Sequence, residues 1–326
     1  MKVLVLGGAG YIGSHICKAL ALINHQSVVV DNLSTGHREA VRWSQFIEAD
    51  ILDADSLIRI LQDEGPFDLI MHFCAKSLVG ESMQNPALYY RNNVVGTLNL
   101  LDAMVATGHD KLVFSSTAAV FGMPERELIN EEHSRLPINP YGQSKKMIED
   151  ILGDYHHAFG IKSVALRYFN ACGADADGEI GERHEPETHL IPNILKSVIA
   201  GKTSELKVFG DNYLTPDGTC IRDYIHVSDL ASAHILAGEY LQKHAGAFAF
   251  NLGNGNGFSV LDVIKAARKV VGQNIVYTIE GPRAGDPPVL VADAKQAEQV
   301  LGWQPAYTDI ESIIATAWHW HQNETF

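Results

Sequence analysis

Cysteine is scarce in this chain: its 326 residues hold only Cys17, Cys74, Cys172 and Cys220. No Cys-x-x-Cys pair and no metal-ligand spacing occurs among them, so neither a disulfide framework nor a cysteine zinc site is expected. The thiols read as reduced and mostly buried, and the compartment as cytoplasmic. Long hydrophobic runs are missing too. Val3-Leu4-Val5-Leu6 is too short for a signal-peptide core, and nothing approaches a membrane span. Positive charge is in deficit: 25 Lys and Arg stand against 39 Asp and Glu, a formal net charge of −14. That balance argues against nucleic acid or an anionic membrane as a bulk partner. A local arginine cluster can still hold a small anion. Repeats and low-complexity tracts are absent. His156-His157 and His319-Trp320-His321 read as helix-end and surface residues, and no metal site is assigned.

What remains is ordinary globular material, 46% hydrophobic and 20% charged. Strand and helix signals alternate from the first residue. The apolar run at 2–6 reads as a strand buried on both faces and 27–30 as a second buried strand, and 46–48, 69–73, 111–115 and 163–167 read as further strands. Helical periodicity covers 13–22, 55–62, 86–107 and 139–159. This βα alternation predicts an α/β fold: a Rossmann-type, doubly wound parallel sheet. The pattern breaks in the polar, glycine-bearing stretch 173–187. The expected division is therefore a dinucleotide-binding domain at 1–172 and a smaller α/β substrate domain at 173–326, with some segments returning to the main sheet.

Gly7-Gly8-Ala9-Gly10-Tyr11-Ile12-Gly13 follows the first strand and opens the first helix. It satisfies Gly-x-Gly-x-x-Gly, whose glycines allow a tight turn and let backbone N–H groups approach a pyrophosphate at a helix N-terminus. Asp31 ends the second strand, where a carboxylate accepts ribose hydroxyls and repels a 2′-phosphate, favouring NAD over NADP. Asp50-Ile51 ends the third strand, placed either to meet the adenine or as an ordinary loop acid.

Tyr141 and Lys145 lie four residues apart, on one face of a helix. A free tyrosine, with a pKa of about 10, is a poor base at neutral pH. A positive charge at about 4 Å in a dielectric of about 20 is worth roughly 4 kcal/mol, or about three pKa units. Lys145 and a positive nicotinamide together can bring the Tyr141 phenol near neutrality. Thr117, beyond the strand at 111–115, is placed to bond the same substrate hydroxyl or to satisfy backbone. Together these residues point to redox chemistry on a carbinol.

With those residues in hand, the chain resembles the extended short-chain dehydrogenase/reductase superfamily. Within it the chain is similar, over essentially its whole length, to the 4-epimerases of UDP-glucose and UDP-galactose. The carrying motifs are the glycine fingerprint, Asp31-Asn32-Leu33, Tyr89-Tyr90-Arg91-Asn92-Asn93, Tyr141-Gly142-Gln143-Ser144-Lys145, Leu166-Arg167-Tyr168-Phe169-Asn170 and, most diagnostic, Asp217-Gly218-Thr219-Cys220-Ile221-Arg222-Asp223-Tyr224-Ile225-His226-Val227. The resemblance implies that bound NAD and Tyr141 oxidise the sugar at carbon 4. The keto sugar then turns in the pocket and is reduced on its other face. It implies cofactor contacts from Gly7, Gly10, Tyr11, Ile12, Gly13, Asp31, Asn32, Leu33, Ser34, Thr35, Gly36, Asp50, Ile51, Phe73, Cys74, Ala75, Lys76, Asn92, Ser115, Tyr141, Lys145, Tyr168 and Phe169. Lys76 stands where the family has small or apolar residues. Substrate contacts are implied for Thr117, Asn170, His189, Leu190, Val208, Phe209, Arg222, Tyr224, Arg283 and Asp286. Among these, the two arginines neutralise the diphosphate and Asp286 holds the ribose. Leu290 falls near the sugar pocket, where an aliphatic side chain leaves room for an N-acetyl group. The helices at 86–107 and 139–159 pair across a two-fold axis in the family, so a homodimer is expected.

Three rival readings remain. A dehydratase needs an acid and a base after the threonine, and Ala118-Ala119 supplies neither. A 4-epimerase of another UDP-sugar (N-acetylhexosamine, pentose or uronate) keeps the chemistry and changes the substrate. A non-catalytic NAD-binding regulator keeps only the fold.

Overall fold

The computed structural model describes residues 1–202, 206–283 and 286–326. Ala284 and Gly285, between Arg283 and Asp286, lie outside them. The strands of the first half are β1 (Lys2–Leu6), β2 (Gln26–Asp31), β3 (Gln45–Glu48), β4 (Leu69–His72), β5 (Lys111–Thr117) and β6 (Lys162–Tyr168). The second half adds β7 (Asn170–Cys172), β8 (Lys207–Phe209), β9 (Ile221–His226), β10 (Ala247–Leu252), β11 (Gly257–Ser259), β12 (Thr278–Glu280) and β13 (Val289–Leu290).

Seven of these strands form one sheet in the order β10-β6-β5-β4-β1-β2-β3, with every neighbour parallel. The chain winds outward from β1 in one direction and from β4 in the other. The carboxyl ends of β1 and β4 therefore open a crevice at the point where the order reverses, which is where ligands bind in such sheets. The expected doubly wound sheet is present, and β10 joins it from the second half, pairing with β6 from Ala247↔Ser163 to Leu252↔Tyr168.

Helices cover both faces. α1 (Tyr11–Leu22) opens on the fingerprint and α2 (Ala54–Asp63) is capped by Asp53. The helix expected at 86–107 is not uniform. A short α3 (Val79–Gln84) precedes α4 (Pro86–Tyr89), a π-helical turn (Tyr90–Val95) and α5 (Gly96–Thr107). Within the π turn lies Asn93, which is 1% exposed. Its side chain accepts the Lys76 N–H at 2.9 Å and donates to Lys76 O at 3.1 Å and to Ser144 Oγ at 3.0 Å. The widened turn ties this helix to the loop after β4, and π turns of this kind cluster at functional sites.

α6 (Pro140–Phe159) starts where Asn139 caps it by accepting the Gly142 N–H at 2.8 Å. Beyond it run α7 (Leu190–Ile199), α8 (Val227–Leu241), α9 (Val260–Val271), α10 (Lys295–Leu301) and α11 (Ile310–Gln322). α8 belongs with the main sheet, because Leu230, Ala233 and Ala237 share one buried cluster with Ile16 and Leu20 of α1. A separate cluster joins Ile194, Val263, Ile264 and Ile313, from α7, α9 and α11. Two small sheets accompany it: β11-β9-β13 with β7 on β9, and β12-β8.

Candidate active site

The fingerprint turn is built from backbone crowding. Gly7 adopts φ +82°, and a Cβ there would lie 2.7 Å from the Phe73 carbonyl carbon. A Cβ on Gly13 would stand 2.3 Å from Gly7 O. Gly10 differs: its nearest obstacle is Gly7 O at 3.4 Å, and no side chain caps α1 at this position. The first-turn N–H groups of α1 around Tyr11, Ile12 and Gly13 thus face an open approach suited to a pyrophosphate. The residues fit a dinucleotide.

Asp31 lies beside this turn, 7% exposed. Its carboxylate accepts the Ala9 N–H at 3.0 Å and the Leu33 N–H at 2.8 Å. These bonds draw the chain into a tight bend with Leu33 at φ +55°, a left-handed conformation rare outside glycine. Burial raises the Asp31 carboxyl above its ordinary value, while the two backbone bonds pull it back. Asn32 reaches across to Asp50 at 2.9 Å and accepts the Ser34 N–H at 3.0 Å. Gly36 packs on Ala9, and Thr35 lines a small cavity with Gly10 and Tyr11. Ile51 packs beneath Gly96. After β4, Phe73 O accepts the Ala75 N–H at 2.9 Å, Asn93 holds Lys76, and the Asn92 amide donates to Asn93 at 2.9 Å. Cys74 is a free thiol whose pKa burial raises. The expected cofactor residues thus gather at the carboxyl ends of β1, β2 and β4, together with Ser115 and Tyr168 described next.

β5 runs two residues further than expected, to Thr117. That extension seats Thr117 beside the first turn of α6. The Thr117 hydroxyl accepts the Ala119 N–H at 3.1 Å, so the backbone role expected of it is present, and it lies near enough to the Tyr141 phenol to perturb it. Burial raises the Tyr141 phenol above its ordinary value, and Thr117 pulls it back. Lys145, 2% exposed, donates to Ser115 O at 2.7 Å and lies 4.6 Å from the centre of the Phe114 ring. Burial pushes its ammonium down to about 7, against the pull of Cys74 and Glu149. Tyr168 hydrogen-bonds Ser115 Oγ.

On the substrate side, the Asn170 amide donates to Asp223 O at 3.0 Å, and Tyr224 is buried beneath it. Arg222 pairs with Asp286, and Arg283 lies over the Phe209 ring at 4.1 Å. Val208 is buried on β8 beside Phe209. Each arginine therefore already has a partner within the chain. His189 stands at the N-cap position of α7 just before Leu190 without capping it, and its ring bonds Glu187 at 2.9 Å. Phe169 and Leu290 pack on the Ala118-Val120-Phe121 cluster that follows Thr117.

Sequence reasoning missed two acids. Glu149 accepts from Ser116 Oγ at 2.6 Å, Arg167 Nη2 at 2.7 Å and Arg135 Nη1 at 2.9 Å. The signal was available, since Glu149 follows Lys145 by four residues on the same helix face as Tyr141. Asp223, wholly buried, accepts N–H bonds from Asn254 (2.7 Å), Gly255 (3.1 Å) and Ala292 (3.1 Å). Burial pushes its carboxyl up to about 6 against those bonds. An acid whose strand neighbours Tyr224 and Ile225 are buried was the available clue.

A nucleotide crevice at a switch point, with a tyrosine, a lysine and a threonine at its edge, is the site of an NAD-dependent enzyme that acts on a carbinol. The chain belongs to the NAD-dependent epimerase/dehydratase family, whose model matches residues 3–253. It is 50% identical over 324 residues to the UDP-glucose 4-epimerase of Lacticaseibacillus casei, covering 99% of this chain and 97% of that one. Among solved structures it is similar to the UDP-glucose 4-epimerase of Brucella ovis in complex with NAD, with TM-score 0.94, 50% identity and 98% of each chain covered. It is similar also to the UDP-glucose 4-epimerase of Bifidobacterium longum in complex with NAD+ and UDP, with TM-score 0.94, 38% identity and 99% of each chain covered.

Proposed function

We propose that this chain is an isomerase that interconverts UDP-glucose and UDP-galactose by inverting carbon 4 of the sugar, with NAD as its cofactor. The carrying observation is Tyr141, perturbed by Thr117 and one helical turn before the buried Lys145, at the edge of a glycine-built dinucleotide crevice. NAD, when bound, supplies the two-electron oxidation of carbon 4 and its reversal. The Tyr141 phenol takes the proton of the 4-hydroxyl and returns it, and Thr117 holds that hydroxyl in place. Lys145 lends the positive charge that lets the phenol act as a base. Ala118 and Ala119 carry no acid or base, which disfavours elimination. The family and its UDP-glucose 4-epimerase members support the same reading.

Arg222, Arg283, Asn170, Tyr224, the His189–Leu190 backbone step, Val208, Phe209 and Asp286 make the nucleotide-diphosphate grip in this reading. A tight grip on that remote group leaves the sugar free to turn. Residues 1–172, with α8 and β10, carry the cofactor, and the rest of 173–326 carries the nucleotide sugar. Exposed Val95, Val105 and Phe159 on the π turn, α5 and α6 support a homodimer through these helices. A sedimentation mass near one chain would refute that dimer. Four free cysteines support a cytoplasmic location, and no helix among the described residues is long and apolar enough to cross a membrane.

The test adds UDP-galactose to purified protein without cofactor and follows the anomeric protons by NMR, with Tyr141→Phe alongside. Appearance of UDP-glucose, with a loss of roughly a hundredfold or more in the variant, supports the reading. No turnover by protein that holds NAD points to another UDP-sugar or a regulator.

A further inference from the structure

The stretch between β7 and α7 brings Glu182, His184, Glu187 and His189 together, and one ligand atom from each lies within 4.8 Å of the others. We propose that these four side chains form a structural site for a divalent transition metal of the zinc type. The proposal does not depend on the epimerase reading.

The geometry carries it. A tetrahedral ion with bonds of about 2.0–2.1 Å to nitrogen and oxygen sets its ligands roughly 3.3–3.4 Å apart. Glu182 Oε1 lies 2.9 Å from His189 Nδ1 and 3.3 Å from His184 Nδ1, and His184 Nδ1 lies 3.8 Å from Glu187 Oε2. These edges straddle the required length. Imidazole and carboxylate donors together suit such an ion.

Internal hydrogen bonds do not settle the cluster. His189 Nδ1 stands 2.9 Å from a carboxylate oxygen of Glu182 and 2.9 Å from one of Glu187, yet a ring nitrogen carries at most one proton. His184 Nδ1 and Glu187 Oε2 are buried without a hydrogen bond. Lys196 Nζ, at 3.9 Å from Glu187 Oε2, is at the far limit of an ion pair. The glutamate side chains are only 4% and 7% exposed, so two carboxylates are buried against two imidazoles, and a bound dication would take the place of the protons between them.

The surroundings orient the donors. Glu187 Oε1 accepts the Thr188 N–H at 2.8 Å and the His189 N–H at 2.9 Å, which leaves Oε2 as the ligating atom. Both histidine rings are partly exposed, at 32% and 46%, and give the ion a way in. Four protein ligands leave no open position, so the site is structural and not catalytic. Its place tells what it holds. The His184 ring meets Tyr11 edge-on at 6.3 Å between centroids, and the Tyr11 hydroxyl donates to Gly173 O at 2.6 Å. The ion would pin the loop between β7 and α7 against the start of the fingerprint helix.

The test uses the full chain, stripped with a chelator and titrated with Zn2+ alone by calorimetry, then with Co2+ followed in the visible. The expected result is one Zn2+ per chain and the intense bands of four-coordinate cobalt. Glu187→Gln and His184→Asn should each weaken Zn2+ at least about tenfold. A His156→Ala/His157→Ala control, on the far end of α6, should leave binding unchanged. The weak bands of six-coordinate cobalt, the absence of saturable binding, or binding that only the control removes would overturn the proposal. Should the variants fail to fold by circular dichroism, the cobalt spectrum of the unaltered protein decides.

Discussion

The two ends of the cleft are built in opposite ways. At the catalytic end Ser115, Thr117 and Lys145 are 4%, 8% and 2% exposed, and every polar group is tied to backbone or to a neighbouring hydroxyl. At the nucleotide end Arg222 pairs with Asp286 and Arg283 lies on Phe209, all of them partly or largely open to solvent. The first end is preorganised, with its charges held in place before a substrate arrives. In the proposed reading the second would exchange internal partners for a diphosphate. Chemistry is assigned to the rigid end, and recognition to the end that rearranges.

Neighbours on one strand show the contrast most sharply. Arg222 and Asp223 adjoin on β9, yet the first is partly exposed and paired with Asp286, and the second is wholly buried as the acceptor of three backbone N–H groups. Asp223→Ala strands those donors at about 1–3 kcal/mol each, not fully additive. Unfolding free energy should fall by about 3–5 kcal/mol in a urea titration. A loss below 1 kcal/mol would mean that the frame of the nucleotide end does not hang on this residue.

That contrast also marks what is legible in a sequence. The parallel sheet is legible because β1, β2 and β4 are unbroken apolar runs, and the fingerprint because its spacing follows from backbone crowding at Gly7 and Gly13. Tyr141 and Lys145 are legible because helix periodicity places them on one face. The π turn is not, since its Asn93 meets Lys76 and Ser144 at separations of 17 and 51 residues. Nor are the pairings of Arg222 with Asp286 and of Glu182 with His189, which depend on how distant or irregular segments close up. Local chemistry can be read along the chain, whereas partner choice waits for tertiary structure.

At the rigid end, Lys145 gives the next largest effect, and its sign can be worked out. Burial holds its ammonium at about 7 and raises the phenol. Below about pH 7 the pair keeps both protons, and Tyr141 cannot serve as a base. Above it the pair keeps one proton, held mainly by the phenol, and the phenolate–ammonium tautomer keeps a constant minor share. The rate constant kcat/KM should therefore rise with pH through about 7 and level off. Lys145→Met leaves the buried phenol alone, so the rise should move above about pH 10. Activity near neutrality should then fall by about a hundredfold or more. An unshifted profile in the variant would separate Lys145 from the base.

At the adaptable end, Arg222→Ala should spare folding and weaken UDP binding. One charge-assisted hydrogen bond is worth about 1.5–3 kcal/mol, so affinity by calorimetry should drop about tenfold to a hundredfold. A variant that instead loses stability without losing affinity would place Arg222 in the frame with Asp223 and erase the contrast.

Arg283 gives the smallest effect and the finest discrimination. Stacked at 4.1 Å on Phe209, it contributes about 0.5–1 kcal/mol if it only shields the ring, so Arg283→Ala should cost UDP affinity a few-fold. If it turns to the diphosphate, as the sequence leads one to expect, the loss approaches that of Arg222. Arg283→Lys then separates charge from shape. Lysine keeps the charge but not the planar fork that serves both stacking and bidentate phosphate binding. Recovery of affinity with lysine assigns Arg283 to diphosphate charge, and failure to recover assigns it to the plane of its guanidinium. Because Arg283 is exposed, either change should leave stability within about 0.5 kcal/mol, so affinity alone reports how far the recognition end rearranges.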